Sequence, residues 1–512
     1  MTRKLRILFV VQHGALLRFA LLIPAIAGRG HEIHIAFPPG GDWRGSEASD
    51  PPQRTLDLLA ELQERFPGSI EYGPVPDRAK DGWSDTAWLV RGLADLAHNA
   101  NPRYKRASVL RKRTRQRVLG RMEKRKEFEP IGRALAVRVG SRLAKRTDAD
   151  LSRKVLGVTA ALEDAVPSRP EIDQFVREAA PDVVVVTGTF RHVSSEVELL
   201  KSARALGIPA GIFVTSWDNL TNKGSLKFVP ERVFVWNEVQ ARDAVELHRI
   251  PRDRVVLTGA HVFDEWFERR PTRTREELLG QLGLDPTQPY LVYLCSSGNI
   301  GRDEEPQFVQ RWVDAIRSAG DERLRRMNLV VRPHPNVPNP PTPEGHENVV
   351  VWPPAGAYPV ASEARDDFFD SLFHSAAVVG MNTTAMIEAA ILGKSVLTVL
   401  VPEFAQETTL HFHYLLSENG GFLHVASDLD EHLRQLSGVL DDDELGAVRR
   451  RAFVESFVRP RGLDRPAAPT GAEAIEELAS LPARSGPKPG TYLLRGLLSV
   501  EAGLNAVHNR RR

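Results

Sequence analysis

Residues 378–400 read VVGMNTTAMIEAAILGKSVLTVL. A short apolar run, Ala376–Val379, stops at Gly380, and Asn382-Thr383-Thr384 forms a polar turn before a compact helix, Ala385–Leu392. Gly393 stands where a C′ glycine ends a helix, and Ser395–Val401 supplies the next strand. This strand–turn–helix–strand unit is the repeat of doubly wound parallel sheets. Its turn offers two hydroxyls and backbone N–H groups to a phosphate. Glu388 follows Thr384 by one helical turn, so both can face one ligand. A capped crossover with a solvated Glu388 is the plainer alternative.

Working outward, the same pattern recurs on both sides. Tyr290–Cys295 is an apolar strand followed by Ser296-Ser297-Gly298-Asn299, small residues that let a backbone approach a phosphate. It is neither a Walker A loop nor a GxGxxG. After a helix over Gln307–Ala319, strand Asn328–Val331 runs into Arg332-Pro333-His334-Pro335. The prolines stiffen that exit. A guanidinium fork suits a diphosphate, and His334 can donate to phosphate or base. Downstream, Glu403, Gln406, Thr409, His411 and His413 crowd the exit of the following strand. The two histidines are badly spaced for a helical metal site, and no metal is expected.

The first half opens with the continuous apolar run Leu5–Val11, a buried parallel strand. Gln12-His13-Gly14 is its turn, Ala15–Gly28 a predicted helix and His31–Phe37 the second strand. Ligands of such sheets bind beyond the carboxyl ends of the strands. His13 stands there as a candidate general base, with Gly14 clearing space and Arg18 one turn on; a helix-capping role is the alternative. Asp182–Thr187 is a third strand, whose exit Gly188-Thr189-Phe190-Arg191 opens a helix ending at Gly207. Ile208–Val214 follows, and its exit is the polar loop Thr215-Ser216-Trp217-Asp218-Asn219-Leu220-Thr221-Asn222-Lys223-Gly224. Trp217 as an exposed platform, with Asp218, Asn219 and Lys223, suits a polyhydroxyl ligand; a structural Asx turn is the alternative. Further elements are Val233–Trp236, the helix Glu238–His248 and Arg254–Thr258.

The chain has 512 residues, one cysteine (Cys295) and a net charge of +2. It is long enough for two domains, lacks the cysteines for a disulfide framework, and suggests a reducing compartment. No uncharged apolar run reaches membrane-spanning length, and Leu5–Val11 is too short to predict a signal peptide. The charge is unevenly spread. Arg103–Arg146 holds 17 Lys and Arg against three Glu. Apolar residues recur through it at helical spacing: Val109, Leu110, Val118, Leu119, Met122, Leu135, Val139 and Leu143. A basic amphipathic segment suits an anionic membrane surface, and a solvated insertion is the alternative. Nucleic acid is not expected, since aromatics for base stacking are scarce.

With Ser296-Ser297-Gly298, RPHP and GMNTTAMIEAAILGKSV in its second half, the chain resembles the GT-B glycosyltransferase superfamily. Within it the chain resembles CDP-glycerol glycerophosphotransferases and capsule or surface-polysaccharide proteins, with UDP-N-acetylglucosamine 2-epimerases as neighbours. The resemblance implies an α/β fold of two Rossmann-like doubly wound parallel-sheet domains facing across a cleft. Residues 1–258 would form the acceptor domain, with a basic helical insertion at about 82–170, followed by a linker at 259–271. A donor domain would span 272–460, and 461–512 would be a Pro/Gly-rich linker and tail. It implies that Arg332 and His334 lie near the donor phosphates, with Ser296, Ser297, Gly298, Asn382, Thr383, Thr384 and Gln406 in the donor site. Glu388 would bind ribose. His13, Gly14, Arg18, Thr189, Arg191, Trp217, Asp218, Asn219 and Lys223 would meet the acceptor, with His13 and Asp218 catalytic alongside Arg332 and His334. His261 stands where relatives commonly carry proline. The implied partners are a nucleotide-activated sugar or CDP-glycerol as donor substrate, with no further cofactor, and a glycan or lipid-linked acceptor. The implied location is the cytoplasmic face of the membrane, held peripherally through 103–146. The alternative is a non-transferring protein, epimerase-like or a glycan-assembly subunit.

Overall fold

A computed structural model describes residues 3–39, 51–76, 81–124, 130–188, 190, 194–296, 304–335, 337, 340–354, 362–404, 406–482 and 490–510. The chain divides into two compact units, one of residues 1–262 with 459–512, the other of residues 263–458. Each is an α/β body around one all-parallel sheet.

In the first unit the strands are β1 (Arg6–Val10), β2 (Glu32–Phe37), β3 (Ile70–Pro74), β4 (Val183–Val186), β5 (Ala210–Phe213), β6 (Arg232–Val235) and β7 (Val255–Leu257). Their order is β3-β2-β1-β4-β5-β6-β7. The apolar runs that predicted these strands are buried on both faces, as Val183–Val186 and Ile7–Val10 show. The chain turns back on itself between β1 and β4, which pair in register from Ile7↔Val183. That reversal is the switch point of the sheet.

The second unit holds β8 (Tyr290–Leu294), β9 (Asn328–Arg332), β10 (Val349–Val351), β11 (Ala377–Gly380), β12 (Val396–Val399) and β13 (His424–Ala426), in the order β10-β9-β8-β11-β12-β13. Its switch point lies between β8 and β11. The helix after β11 spans Ala385–Ile391. Gly393 ends it at φ +75°, with its N–H on the Ala390 carbonyl and the Lys394 N–H on that of Ala389. This is the double reverse bond that a left-handed C′ glycine permits.

Three expectations are corrected. The predicted helix Ala15–Gly28 is a 3-10 turn, His13–Phe19, followed by a short helix, Leu22–Ala27. Pro24, which lacks an N–H, is tolerated in the first turn of the second helix but not in the interior of one long helix. The described part of the basic segment forms helices Ser108–Lys124 and Pro130–Ala144, which stand in the chain between helices Gly82–His98 and Ala149–Ala165, all of them between β3 and β4. Its periodic apolar residues Val118, Leu119, Met122 and Leu143 close a core with Trp88 and Leu96, while Val109 and Leu135 stay exposed. Helical spacing therefore marked a bundle interior. Residues 459–482 and 490–510 are not a loose tail. Helix Ala467–Ala479 buries Ala472, Ile475 and Leu478 against the first sheet, and Glu476 pairs with Arg29 and His31. Its prolines fall at the N-cap and in the first turn, where a helix accepts them. Helix Thr491–Arg510 packs on Gly82–His98 so closely that a Cβ at Gly82 would meet the Ala502 carbonyl at 1.8 Å.

Candidate functional site

Polar side chains gather at the carboxyl ends of the strands in both units, around the two switch points.

In the second unit, the residue after β8 is anchored by a carboxylate that the sequence reading overlooked. Glu305, in the first turn of helix Glu305–Arg317, accepts from the Ser296 N–H at 2.8 Å, from Ser296 Oγ at 3.0 Å and from Tyr293 Oη at 3.3 Å. Burial pushes its carboxyl up to about 7, against the pull of the Ser296 hydrogen bonds. Ser297 and Gly298 lie outside the described residues. Across the switch point, Asn382 Nδ2 donates to Thr409 Oγ1 at 2.9 Å, and Thr409 Oγ1 donates to the Gln406 carbonyl at 2.8 Å. Gln406, expected to face a donor, is buried and spends its amide on the Val399 carbonyl at 2.9 Å. It fixes the exit of β12 beside that of β11. Thr383, Thr384 and Glu388 are half-buried around this frame.

Arg332 differs from expectation. Its side chain is 7 % exposed, and Nη1 donates to Asp367 Oδ2 at 2.9 Å and Ser371 Oγ at 2.6 Å in helix Ser362–Phe373. That nitrogen is committed to an internal ion pair, so Arg332 braces the end of β9. His334 follows it, and burial holds its imidazole down at about 4. It is neutral near pH 7 and offers a neutral ring N–H rather than a charge.

In the first unit, the loops after β1 and β4 are bridged by Gln12 Nε2 donating to Glu196 Oε1 at 2.9 Å, with Ser194 Oγ donating to the other carboxylate oxygen. This link at the switch point was not anticipated. His13 follows Gln12 at the start of the 3-10 turn, half-buried and stacked on Phe37 at 4.2 Å between ring centroids. A Cβ at Gly14 would meet nothing within 4 Å, and Gly14 itself is exposed. Arg18 is half-buried on the same turn, and its carbonyl accepts from His261 Nε2 at 3.0 Å. His261 is buried within this unit, between Phe19 and Phe213, and burial holds it at about 4. Thr189 and Arg191 lie outside the described residues.

The loop after β5 corrects the reading of Trp217, which is 3 % exposed and no platform. Asp218 Oδ2 accepts from Asn222 Nδ2 at 3.1 Å and Oδ1 from Asn219 Nδ2 at 3.3 Å, and the Asp218 carbonyl accepts from the N–H groups of Thr221 and Asn222, so the loop binds itself. Asn219 is buried, and Lys223 stands over the Phe190 ring at 5.7 Å. The insertion holds this loop from outside. Arg113 Nη2 donates to both the carbonyl and Oδ1 of Asn222 at 2.7 Å, and Asp95 Oδ1 accepts from the Ser225 N–H at 2.9 Å and pairs with Lys227. Gly224 is required there, because a Cβ would fall 2.2 Å from Asp95 Oδ1. Among the described residues no three His, Cys, Asp or Glu side chains cluster as metal ligands.

One consequence is measurable in the folded protein. A carboxyl raised from 4.5 to about 7 keeps its proton in the folded state where the unfolded chain has lost it. Stability therefore falls as pH rises through that window, by up to about 3 kcal/mol. Glu305→Gln should abolish this slope, which urea midpoints at about pH 5 and about pH 8 will compare.

No protein-family profile matches the sequence, and no curated protein matches it. Solved structures do. The fold is similar to UDP-GlcNAc 2-epimerase from Neisseria meningitidis bound to UDP-GlcNAc, at 12 % identity and TM-score 0.46, covering 93 % of this chain and 99 % of that one. It is similar to MnaA of S. aureus in a structure with UDP (13 %, TM-score 0.47, 96 % and 100 %). It is also similar to UGT89C1 of Arabidopsis thaliana complexed with UDP (11 %, TM-score 0.47, 93 % and 100 %). These neighbours are GT-B-like, the superfamily that the sequence motifs resemble. The likeness is one of fold and assigns no residue a role.

Proposed function

We propose that this chain is a metal-independent transferase moving a glycosyl or glycerol-phosphate group from a nucleotide-activated donor to a cell-envelope glycan or lipid-linked acceptor. The observation that carries this reading is the gathering of polar side chains at the switch point of each sheet, where doubly wound sheets bind their ligands. The second unit takes the donor. Thr383 and Thr384 meet the diphosphate, neutral His334 adds a hydrogen bond, and Glu388 holds the ribose hydroxyls, while the buried Ser296 and Asn382 shape the turns through Glu305 and Thr409. The first unit takes the acceptor, with His13 accepting the proton of the attacking hydroxyl. The chain works on the cytoplasmic face of the membrane, held peripherally.

The self-bonded turn at Asp218 favours a second reading, a non-transferring epimerase-like enzyme, because that loop was the sequence feature that spoke for an acceptor. Incubating the purified protein with CDP-glycerol and UDP-sugars separates the two. Acceptor-dependent release of free nucleotide supports the transferase, and sugar epimerised without nucleotide loss supports the other. Glu388→Ala should weaken donor binding by roughly 1.5–3 kcal/mol in calorimetry, the worth of a hydrogen bond to a charged group. Unchanged affinity removes Glu388 from the donor site.

A further inference from the structure

Helix Thr491–Arg510 covers one face on the helices Gly82–His98 and Ala149–Ala165 and leaves the other open. Tyr492, Leu493, Leu497, Val500, Leu504 and Val507 stand 46–74 % exposed. Their spacing from Leu493 alternates four and three, which draws one stripe along a helix. Gly496, Ser499 and Gly503 complete the exposed face. Between Tyr492 and Val507 the only charged residues are half-buried: Arg495 donates to the Ala165 carbonyl at 3.0 Å and stands over the Tyr492 ring, and Glu501 accepts from Asn505 at 3.2 Å. A Cβ at Gly132 would fall 2.1 Å from Glu501 Oε1, so the first turn of helix Pro130–Ala144 meets this helix at Glu501, and on that neighbouring helix Ile131 is 75 % and Leu135 63 % exposed. The same helix and its predecessor, Ser108–Lys124, expose Lys112, Arg115, Arg117, Arg121, Arg138 and Arg142.

We propose that the open face of helix Thr491–Arg510, together with Ile131 and Leu135, seats the first unit in the interfacial layer of an anionic lipid bilayer. An uncharged stripe bordered by cations is the arrangement that buries side chains at the acyl boundary while lysines and arginines meet headgroups. The charge selects this occupant. A second copy seated on the same stripe would bring two sets of like cations together, which opposes association. The attachment is peripheral, since among the described residues no helix is long and apolar enough to cross a membrane. The inference rests on the lipid-linked-acceptor reading for its purpose, but vesicle binding is measured without turnover. A protein that binds vesicles and releases no nucleotide leaves this surface standing and fails the transferase.

The test is sedimentation of the full chain with vesicles of phosphatidylglycerol and phosphatidylcholine, or of phosphatidylcholine alone, at low and high salt. The wild type should sediment with the anionic vesicles at low salt and dissociate as salt screens the cations. The triple variant Leu493→Ser, Leu497→Ser, Leu504→Ser changes only exposed positions, and an unchanged circular-dichroism melt will confirm its fold. It should lose about tenfold or more in vesicle affinity. Arg115→Gln with Arg121→Gln and Arg138→Gln should weaken binding to anionic vesicles alone. Wild-type binding by the serine variant, equal binding to both vesicle types, or no binding at low salt overturns the proposal. So does a lipid-free dimer that the serine variant dissolves, which would assign the stripe to a second copy.

Discussion

Replacing Arg91 by Ala should lower stability by about 3–5 kcal/mol, the cost of stranding buried charge. Arg91 is fully enclosed. Its Nε and Nη2 donate to Glu163 at 2.9 and 2.7 Å, Nη2 also donates to Glu198 at 2.7 Å, and Lys201 pairs with Glu163 at 2.5 Å. Two cations and two carboxylates balance there. Burial favours the protonated form of Glu163, but Arg91 and Lys201 outweigh it and hold the carboxyl down at about 2. Its stabilising share is present above the usual carboxylate range and is lost as pH falls from 4.5 toward 2. The alanine variant leaves Lys201 facing two carboxylates. A double variant, Arg91→Met with Glu198→Gln, restores the charge balance and should recover much of the loss, as apolar replacement of buried ion pairs commonly does. Thermal melts of the three proteins decide it: if Arg91→Ala alone melts like the wild type, the network contributes nothing net. The same experiment has a functional readout. Glu198 lies on helix Ser195–Leu206, which also carries Glu196, the partner of Gln12 beside His13. Loosening it should slow turnover even where the protein stays folded.

What was legible in the sequence follows the range of each interaction. β1 and the helix Glu238–His248 were readable because apolar continuity and capping are local; Asn237, for instance, caps that helix through the Gln240 N–H. Gly393 was readable because only a glycine is at ease with the left-handed turn there. The partners at the switch points were not. Gln12 meets Glu196 across 184 positions, and Glu305 reaches back to Ser296 across a turn whose chemistry was read from its small residues alone. Trp217 looked exposed because its neighbours are polar. Those neighbours are instead consumed by one another and by Arg113 and Asp95 of the insertion, whose arginines read as a solvated or membrane-facing run. Periodicity also cannot say what an apolar stripe faces. In Ser108–Lys124 it faces a bundle core, and in Thr491–Arg510 it faces out.

Substituting His13 by Ala should slow turnover by about 10²–10⁴-fold, the usual worth of a positioned general base, while leaving donor affinity within about twofold. The split follows from placement: His13 belongs to the first unit, whereas Thr383, Thr384 and Glu388 belong to the second. The ring is suited to proton transfer. It is half-buried and stacked on Phe37, and the next residue, Gly14, is exposed. Its backbone is held as well, since the His13 carbonyl accepts from Thr55 Oγ1 at 3.2 Å, so the alanine variant should keep the loop in place. Two further variants separate a base from a packing residue. His13→Gln retains a polar side chain but cannot take a proton, and should be as slow as alanine. Gly14→Val adds bulk at the residue next to His13 and should raise KM for the acceptor with little change in donor affinity. A base also leaves its mark on the pH–rate profile: the acid limb present in the wild type should vanish in His13→Ala, because no imidazole remains to be protonated. Full activity in His13→Gln would show that the imidazole only packs against Phe37, and would move the search for the base to Glu196, across the same switch point.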